Sequence, residues 1–110
     1  MKRVLIAGLL AIAMVFSCLT PAAWAGDAAS GKNIFAVNCA ACHAGGLNAV
    51  NPAKTLQKSD LDKYGMNSLA AVVSQVTNGK NAMPGFAGRL SGKDIEDVAT
   101  YVLAQSEQGW

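Results

Sequence analysis

Apolar residues recur at helical spacing over most of the chain, and no run of residues alternates between apolar and polar as a half-buried strand would. Leu69, Val72, Val73 and Val76 mark one face of a helix at positions i, i+3, i+4 and i+7. Asn67 is a suitable N-cap for this helix, and Asn78-Gly79 supplies a C-terminal glycine signal. A last helix carries the same pattern at Ile95, Val98, Ala99, Val102 and Leu103, and we expect it to fray after Gln105.

Capping residues place the other elements. Asp27 can cap a helix from about Ala28 to Ala41, and Ser59 can cap a short helix that runs through Tyr64. Ser91 with Asp94 three residues later resembles a capping box for the last helix. Between these elements lie two long loops, at about 45–52 and 80–90, which are rich in Gly, Asn and Pro. The sequence therefore predicts an all-α domain of about four helices and two long loops.

The first 25 residues have the features of a cleaved secretory signal peptide. Lys2 and Arg3 precede an apolar stretch at 4–19, and Ala23-Trp24-Ala25 has the small-x-small form of a cleavage site. An uncleaved anchor and lipidation at Cys18 are the alternatives, but Pro21 interrupts the span and a bulky Phe16 fits a lipoprotein signal poorly. We therefore expect a signal peptide at 1–25 and one domain at 26–110 that is not anchored to a membrane after processing.

The predicted mature chain is electrically balanced. Removing Lys2 and Arg3 leaves seven basic and seven acidic side chains, so the basic footprint of a nucleic-acid-binding protein is absent. A domain this small often needs a disulfide, a metal or a cofactor to complete its core.

Cys39-Ala40-Ala41-Cys42-His43 is the strongest chemical signal in the chain, because C-x-x-C-H is the attachment motif of c-type haem. Two thiols at this spacing can form thioethers with the haem vinyl groups, and the adjacent His43 can coordinate the iron. The other ring N–H of His43 needs an acceptor, for which we expect a backbone carbonyl of the Leu47–Pro52 loop. A thioredoxin-like dithiol lacks its βαβ context here, a disulfide would close a very short loop, and zinc would lack two ligands.

Met83 is the predicted sixth ligand of the iron. It lies forty residues after His43 in the Pro- and Gly-bounded stretch Met83-Pro84-Gly85-Phe86, so the chain can wrap around the haem edge. A thioether ligand raises the potential of haem iron and closes it to other ligands. Met66, just before a helix, is the rival, with packing as its other explanation.

The C-x-x-C-H motif together with residues 78–86 (Asn-Gly-Lys-Asn-Ala-Met-Pro-Gly-Phe) resembles the cytochrome c6 family, and the resemblance extends over the mature chain to Gly109-Trp110. It implies the class I cytochrome c fold wrapped around one covalent haem c, with Cys39 and Cys42 as anchors and His43 and Met83 as axial ligands. It implies that Gln75 lies close to the haem and helps to set its potential. It also implies a helix crossing where Gly31 and Phe35 meet Val98 and Tyr101.

Three further positions follow from the same resemblance. Asn48 and Lys54 match positions near the haem propionates, and Arg89 matches an arginine that docks photosystem I. Exposed polar loop residues are an adequate alternative for all three.

The function implied is that of an electron carrier and not an enzyme, because His/Met ligation leaves no open site on the iron. The resemblance implies transfer from cytochrome f of the cytochrome b6f complex to photosystem I, by a monomer or weak oligomer in the thylakoid lumen or the periplasm. A terminal oxidase is another acceptor, and a periplasmic respiratory class I cytochrome is the alternative reading. A catalytic or gas-sensing haem domain would require Met83 to be labile.

Overall fold

The computed structural model describes residues 26–110, and the predicted signal peptide at 1–25 lies outside the described residues. The helices are α1 (Ala28–Asn38), α2 (Ala40–His43), a 3-10 turn (Ala44–Gly46), α3 (Lys58–Lys63), α4 (Leu69–Asn78) and α5 (Gly92–Gln108). Within this part of the chain there is no strand, and a single antiparallel bridge joins Lys80 to Met83. The all-α prediction is confirmed.

Helices α1 and α5 cross at Gly31. The Asp27 carboxylate caps α1 by accepting hydrogen bonds from the backbone N–H groups of Ala29 and Ser30. A Cβ atom at Gly31 would collide with the backbone carbonyl of Asp97, so glycine is needed for the helices to approach this closely. The rings of Phe35 and Tyr101 pack beside the crossing, with centroids 5.3 Å apart. The predicted crossing is therefore present, with Asp97 and Tyr101 as the residues of α5 that meet Gly31.

The apolar faces predicted for α4 and α5 form the core. Ile95, Val98, Ala99, Val102 and Leu103 of α5 are all buried, as are Val72 and Val76 of α4. Phe35, Leu61 and Phe86 complete this cluster from α1, α3 and the loop before α5. The Ser91–Asp94 capping box is also present, with both reciprocal hydrogen bonds formed.

Two predicted caps are wrong, for one physical reason. Ser59 lies inside α3, whose N-cap is Gln57, two residues earlier, because the Asp60 carboxylate accepts hydrogen bonds from the backbone N–H and the hydroxyl of Thr55 and so starts the helix before Ser59. Asn67 is not the cap of α4; its side-chain amide donates to Asp62 and leaves the capping position to Ser68. In both places a neighbouring carboxylate changes which residue is available to cap.

Two predicted helix ends also differ. The first helix does not run unbroken to Ala41: α1 ends at Asn38, and α2 begins at Ala40 after an interruption at Cys39. Helix α5 continues beyond Gln105 to Gln108, where the buried Ser106 donates to the Leu103 carbonyl and Lys58 pairs with Glu107 at 3.8 Å.

Among residues 26–110, none of the helices combines the length and the apolar character that crossing a bilayer requires.

Candidate haem-binding site

One cavity of ≈ 610 Å³ brings together all but one of the predicted site residues. Its walls include Cys39, Cys42, His43, Asn48, Lys54, Gln75 and Met83, which come from α1–α2, both long loops and α4. The remaining wall includes seven residues of the buried core, Phe35, Leu61, Val72, Val76, Phe86, Val98 and Val102, together with polar residues such as Asn51, Asp60 and Lys80. The cavity is thus an apolar cleft with a few placed polar and sulfur groups, and its volume is within the range of about 300–1,000 Å³ usual for ligand sites.

His43 is held in one tautomer by the loop that follows it. Its Nδ1 lies 2.9 Å from the backbone carbonyl oxygen of Leu47. A carbonyl can only accept, so Nδ1 carries the proton of the neutral ring and Nε2 keeps its lone pair. The expected carbonyl acceptor in the Leu47–Pro52 loop is therefore present, and the ring can offer Nε2 to a metal.

Cys39 and Cys42 both lie at the wall of the cavity and form no disulfide with each other. Burial raises the pKa of the Cys39 thiol to about 11, whereas Cys42 is exposed. The break between α1 and α2 falls at Cys39, whose carbonyl accepts hydrogen bonds from Cys42 and His43. This local turn is what places both thiols and the imidazole on the same wall.

Met83 is presented by a tight, hydrogen-bonded turn. The backbones of Lys80 and Met83 exchange two hydrogen bonds of 3.0 Å, and Asn81 between them has a positive φ of 54°. Asn tolerates this left-handed conformation better than most residues, and Gly79 enters the turn at a φ of 71°. Outside the turn, Nε2 of Gln75 on α4 lies 3.5 Å from Sδ of Met83. The sulfur therefore has a fixed position and a polar neighbour.

Met66 also lines the cavity, so the structure places both methionines on its wall. Both pack against the core, and Met83 is in addition fixed by the bridge to Lys80 and by Gln75.

Asn48 and Lys54 lie on the opposite loop, at the edge of the cavity. The Asn48 side chain accepts from the N–H groups of Val50 and Asn51 and donates to the Lys54 carbonyl at 2.9 Å, so it organises the loop. The Lys54 ammonium lies 5.0 Å from the centroid of the Tyr64 ring.

Arg89 does not line the cavity. It is exposed, and its guanidinium lies 4.6 Å from the centroid of the Phe86 ring, which does form part of the cavity wall. Stacking on a buried ring holds the charge in place beside the cavity.

The donor set fits a haem and not a bare metal ion. Within residues 26–110, no group of three or more His, Cys, Asp or Glu side chains could hold an ion. An imidazole, a thioether sulfur and two thiols around an apolar cleft instead match the axial donors and the two covalent anchors of a c-type haem.

The sequence did not indicate the residues that close the loop after α2, which carries the Leu47 carbonyl that accepts from His43. Trp110 donates from Nε1 to the Leu56 carbonyl at 2.9 Å, and its ring packs against Gly46. A single tryptophan after the end of the last helix carries no periodicity or motif that would have revealed this contact.

Comparison with known proteins gives a consistent result. The family model described as cytochrome c oxidase, cbb3-type, subunit III matches residues 26–102. Cytochrome c6 of Synechocystis sp. is 65% identical over 88 residues, which cover 80% of this chain and 73% of that protein. Cytochrome c6 of Gloeothece citriformis is 55% identical in an alignment 111 positions long that covers all of both chains.

The fold agrees with solved structures. The structure of cytochrome c6 from the diatom Phaeodactylum tricornutum superposes with a TM-score of 0.76 at 56% identity, covering 77% of this chain and all of that one. Oxidized cytochrome c6A from Arabidopsis thaliana gives a TM-score of 0.72 at 31% identity, covering 76% of this chain and 94% of that one. These likenesses, together with the attachment motif on the wall of an apolar cleft, make the chain an electron carrier with one covalently bound c-type haem, and it belongs to the cytochrome c6 family.

Proposed function

We propose that this protein takes single electrons from cytochrome f of the cytochrome b6f complex and delivers them to photosystem I. The observation that supports this most directly is that His43, Met83 and both thiols of the attachment motif share the wall of one apolar cavity. A site with two strong axial donors leaves no position for a substrate, so we infer a carrier and not an enzyme.

The roles of the chain's own residues follow from their positions. A c-type haem, when bound, supplies reversible one-electron chemistry at its iron. Cys39 and Cys42 would hold it by two thioethers, and His43 Nε2 and Met83 Sδ would coordinate its iron. The Leu47 carbonyl orients His43, and the Lys80–Met83 bridge fixes the sulfur. Because these donors are held before any electron moves, little rearrangement should accompany the change of charge.

The surroundings of the cavity favour a high reduction potential. Apolar walls disfavour the extra positive charge of the ferric state. The Gln75 amide, which donates towards Met83 Sδ, withdraws electron density from the thioether and acts in the same direction. Lys54 and Asn48, at the edge of the cavity, are proposed to lie near the propionates.

The docking surface that we propose surrounds the attachment motif. Leu47 and Val50 beside it are 57% and 64% exposed, and Arg89 adds one fixed cation next to Phe86. A small apolar patch with a single anchored charge suits a short-lived complex, which a shuttle must leave quickly. We propose that the chain acts as a monomer or weak oligomer.

The proposed compartment follows from the N-terminal segment. A signal peptide at 1–25 would direct the protein to the thylakoid lumen or the periplasm, and bacterial-type haem attachment takes place after such export.

A second acceptor is favoured by one observation. The matching family model is described as a subunit of a cbb3-type cytochrome c oxidase. A periplasmic carrier that donates to a terminal oxidase would use the same residues at the haem, so only its partner would differ.

The ligand assignment is tested by absorption spectroscopy of the protein produced with haem-attachment machinery. The parent should be low-spin, with the weak long-wavelength ferric band of iron–methionine ligation. Met83→Ala should lose that band, and Met66→Ala, the matched control on the same cavity wall, should keep it. Loss of the band in Met66→Ala alone would make Met66 the ligand, and a parent without the band would refute His/Met ligation.

The choice of acceptor is tested kinetically. In one experiment, reduced protein is mixed with photosystem I, which a flash then oxidises. In a second, reduced protein is mixed with a purified terminal oxidase. Fast reduction of photosystem I at micromolar carrier supports the proposed partner; slow reduction there with fast turnover of the oxidase supports the respiratory alternative.

A further inference from the structure

Trp110 joins the C-terminus to the loop that carries the acceptor of His43. Its indole Nε1 donates to the Leu56 carbonyl across 54 residues of sequence, at 2.9 Å. Its ring packs at 5.3 Å from Phe35, which lines the cavity, and at 6.0 Å, edge to face, from Tyr101 (centroid to centroid). The indole thus lies between the core and the loop after α2.

The two ends of that loop meet beneath the indole. The N–H of Leu56 donates to the Gly46 carbonyl at 2.8 Å, which closes the loop at Leu47–Thr55. A Cβ atom at Gly46 would collide with the Trp110 ring, so the indole rests directly on the backbone of Gly46. The next residue, Leu47, supplies the carbonyl that accepts from His43 Nδ1.

From this sequence of contacts we infer that Trp110 is a positioning residue for the axial histidine. The indole holds Gly46 by packing and Leu56 by its hydrogen bond, and these two residues fix the direction of the Leu47 carbonyl. This inference rests on the proposed role of His43 as iron ligand. Trp110 does not itself line the cavity, so it acts through Leu47.

The role has a consequence with a definite sign. A hydrogen bond from Nδ1–H to a carbonyl raises the basicity of a metal-bound imidazole. A more basic ligand stabilises the ferric state, so a well-aimed Leu47 carbonyl lowers the reduction potential. Loosening Trp110 should therefore raise the potential. Merely opening the cavity to water would have the opposite effect, since solvent favours the higher charge of ferric iron.

The experiment compares three variants of the haem-loaded protein. Trp110→Phe keeps a ring on Gly46 but removes the donor to Leu56, and Trp110→Ala removes both. Glu107→Gln is the matched control, because it removes the other tie of this helix end, the ion pair with Lys58, without touching Gly46 or Leu56. The measurements are the reduction potential and the His43 Nδ1–H signal of the ferrous protein, by ¹⁵N-correlated NMR and hydrogen exchange.

We expect the Nδ1–H signal to shift upfield and its exchange with solvent to become faster, roughly two- to tenfold, in the order Trp110→Phe then Trp110→Ala. The potential should rise in the same order, and Glu107→Gln should match the parent. An unchanged Nδ1–H signal, or a potential that falls, would overturn the inference. If Trp110→Ala does not accumulate, Trp110→Phe alone decides by the same criteria.

The ferric band of Met83 ligation separates this inference from the proposed function. A parent with normal low-spin His/Met spectra and Trp110 variants without effect on Nδ1–H would refute the positioning role only. A parent without those spectra would refute the ligand assignment as well.

Discussion

Gln75 Nε2 lies 3.5 Å from Met83 Sδ, and this is the contact through which α4 reaches the proposed sixth ligand. Gln75 is half-buried at the cavity wall, so its amide donates to sulfur where water competes little. The rest of the Met83 turn is closed by backbone hydrogen bonds to Lys80. Gln75 is thus the side chain that acts on the electronic character of the sulfur, whereas the turn sets its position.

Gln75→Leu should lower the reduction potential. Leucine has a similar volume, so the variant removes the donor to Met83 Sδ with little change in packing. A hydrogen bond worth about 0.5–1.5 kcal/mol corresponds to about 20–60 mV in a one-electron couple. The potential is measured by equilibrium redox titration. Gln105→Leu, which removes a side-chain amide of α5 outside the cavity, is the control and should not change the potential. An unchanged or higher potential in Gln75→Leu would contradict the assigned role.

Gly31→Ala should destabilise the protein through the crossing of α1 and α5. The new Cβ would collide with the Asp97 carbonyl and approach Cβ of Tyr101 to 2.8 Å, so the helices must move apart. Overpacking of this kind costs about 1–3 kcal/mol of unfolding free energy, which denaturant titration measures. Gly92→Ala is the control in the first turn of α5, where a Cβ would meet nothing within 4 Å. Equal stability of Gly31→Ala and the parent would mean that the crossing can relax.

Local sequence signals predicted much of the fold and most of the site. The helical faces at Val72 and Val76 and at Val98 and Val102 were readable because burial follows a period of 3.6 residues. The attachment motif was readable because its chemistry requires Cys39, Cys42 and His43 at fixed short spacing. The prediction that Gln75, Asn48 and Lys54 lie at the same site came from the family resemblance and not from a local pattern.

Contacts between distant residues were not predictable in this way. Asp27 and Asp97 are 70 residues apart, and Trp110 and Leu56 are 54 apart, so no local pattern pairs them. The caps at Ser59 and Asn67 were wrong because Asp60 and Asp62 engage Thr55 and Asn67 in hydrogen bonds that propensity does not encode. Tertiary partners decide such positions.

Asp97→Asn should lower the unfolding free energy at neutral pH and make that free energy less dependent on pH in the acidic range. Asp97 is buried, and the backbone N–H of Asp27, at 2.8 Å, and then the Lys93 ammonium, at 2.7 Å, hold the pKa of its carboxyl below the ordinary value. A depressed pKa stabilises the fold above the unfolded-state pKa of about 4, and this contribution is lost as the pH falls through the folded-state value. Replacing the charge should cost about 1–3 kcal/mol at pH 7.

The measurement for Asp97 is the unfolding free energy between pH 7 and pH 2. The difference between the parent and Asp97→Asn should narrow below about pH 4, because the parent then also loses this charge. Glu96→Gln, one residue earlier on α5, should follow the acid dependence of the parent. A constant difference at all pH values would show that Asp97 contributes by packing and not by its charge.

Arg89→Gln should slow electron transfer to photosystem I if this arginine docks the partner. The guanidinium is exposed and fixed on the Phe86 ring at 4.6 Å, so it offers one oriented positive charge beside the cavity wall. Because the 26–110 chain has equal numbers of acidic and basic side chains, a single fixed cation should matter more than long-range steering. We expect the second-order rate of photosystem I reduction after a flash to fall roughly tenfold, as the loss of one interfacial charge pair would cause.

Arg89→Lys keeps the charge but loses the planar stacking, so its rate should be intermediate. Lys32→Gln removes an equal charge from α1, away from the cavity, and should leave the rate near that of the parent. If both charge-removing variants slow the reaction equally, Arg89 contributes only to net charge and the oriented docking role is wrong.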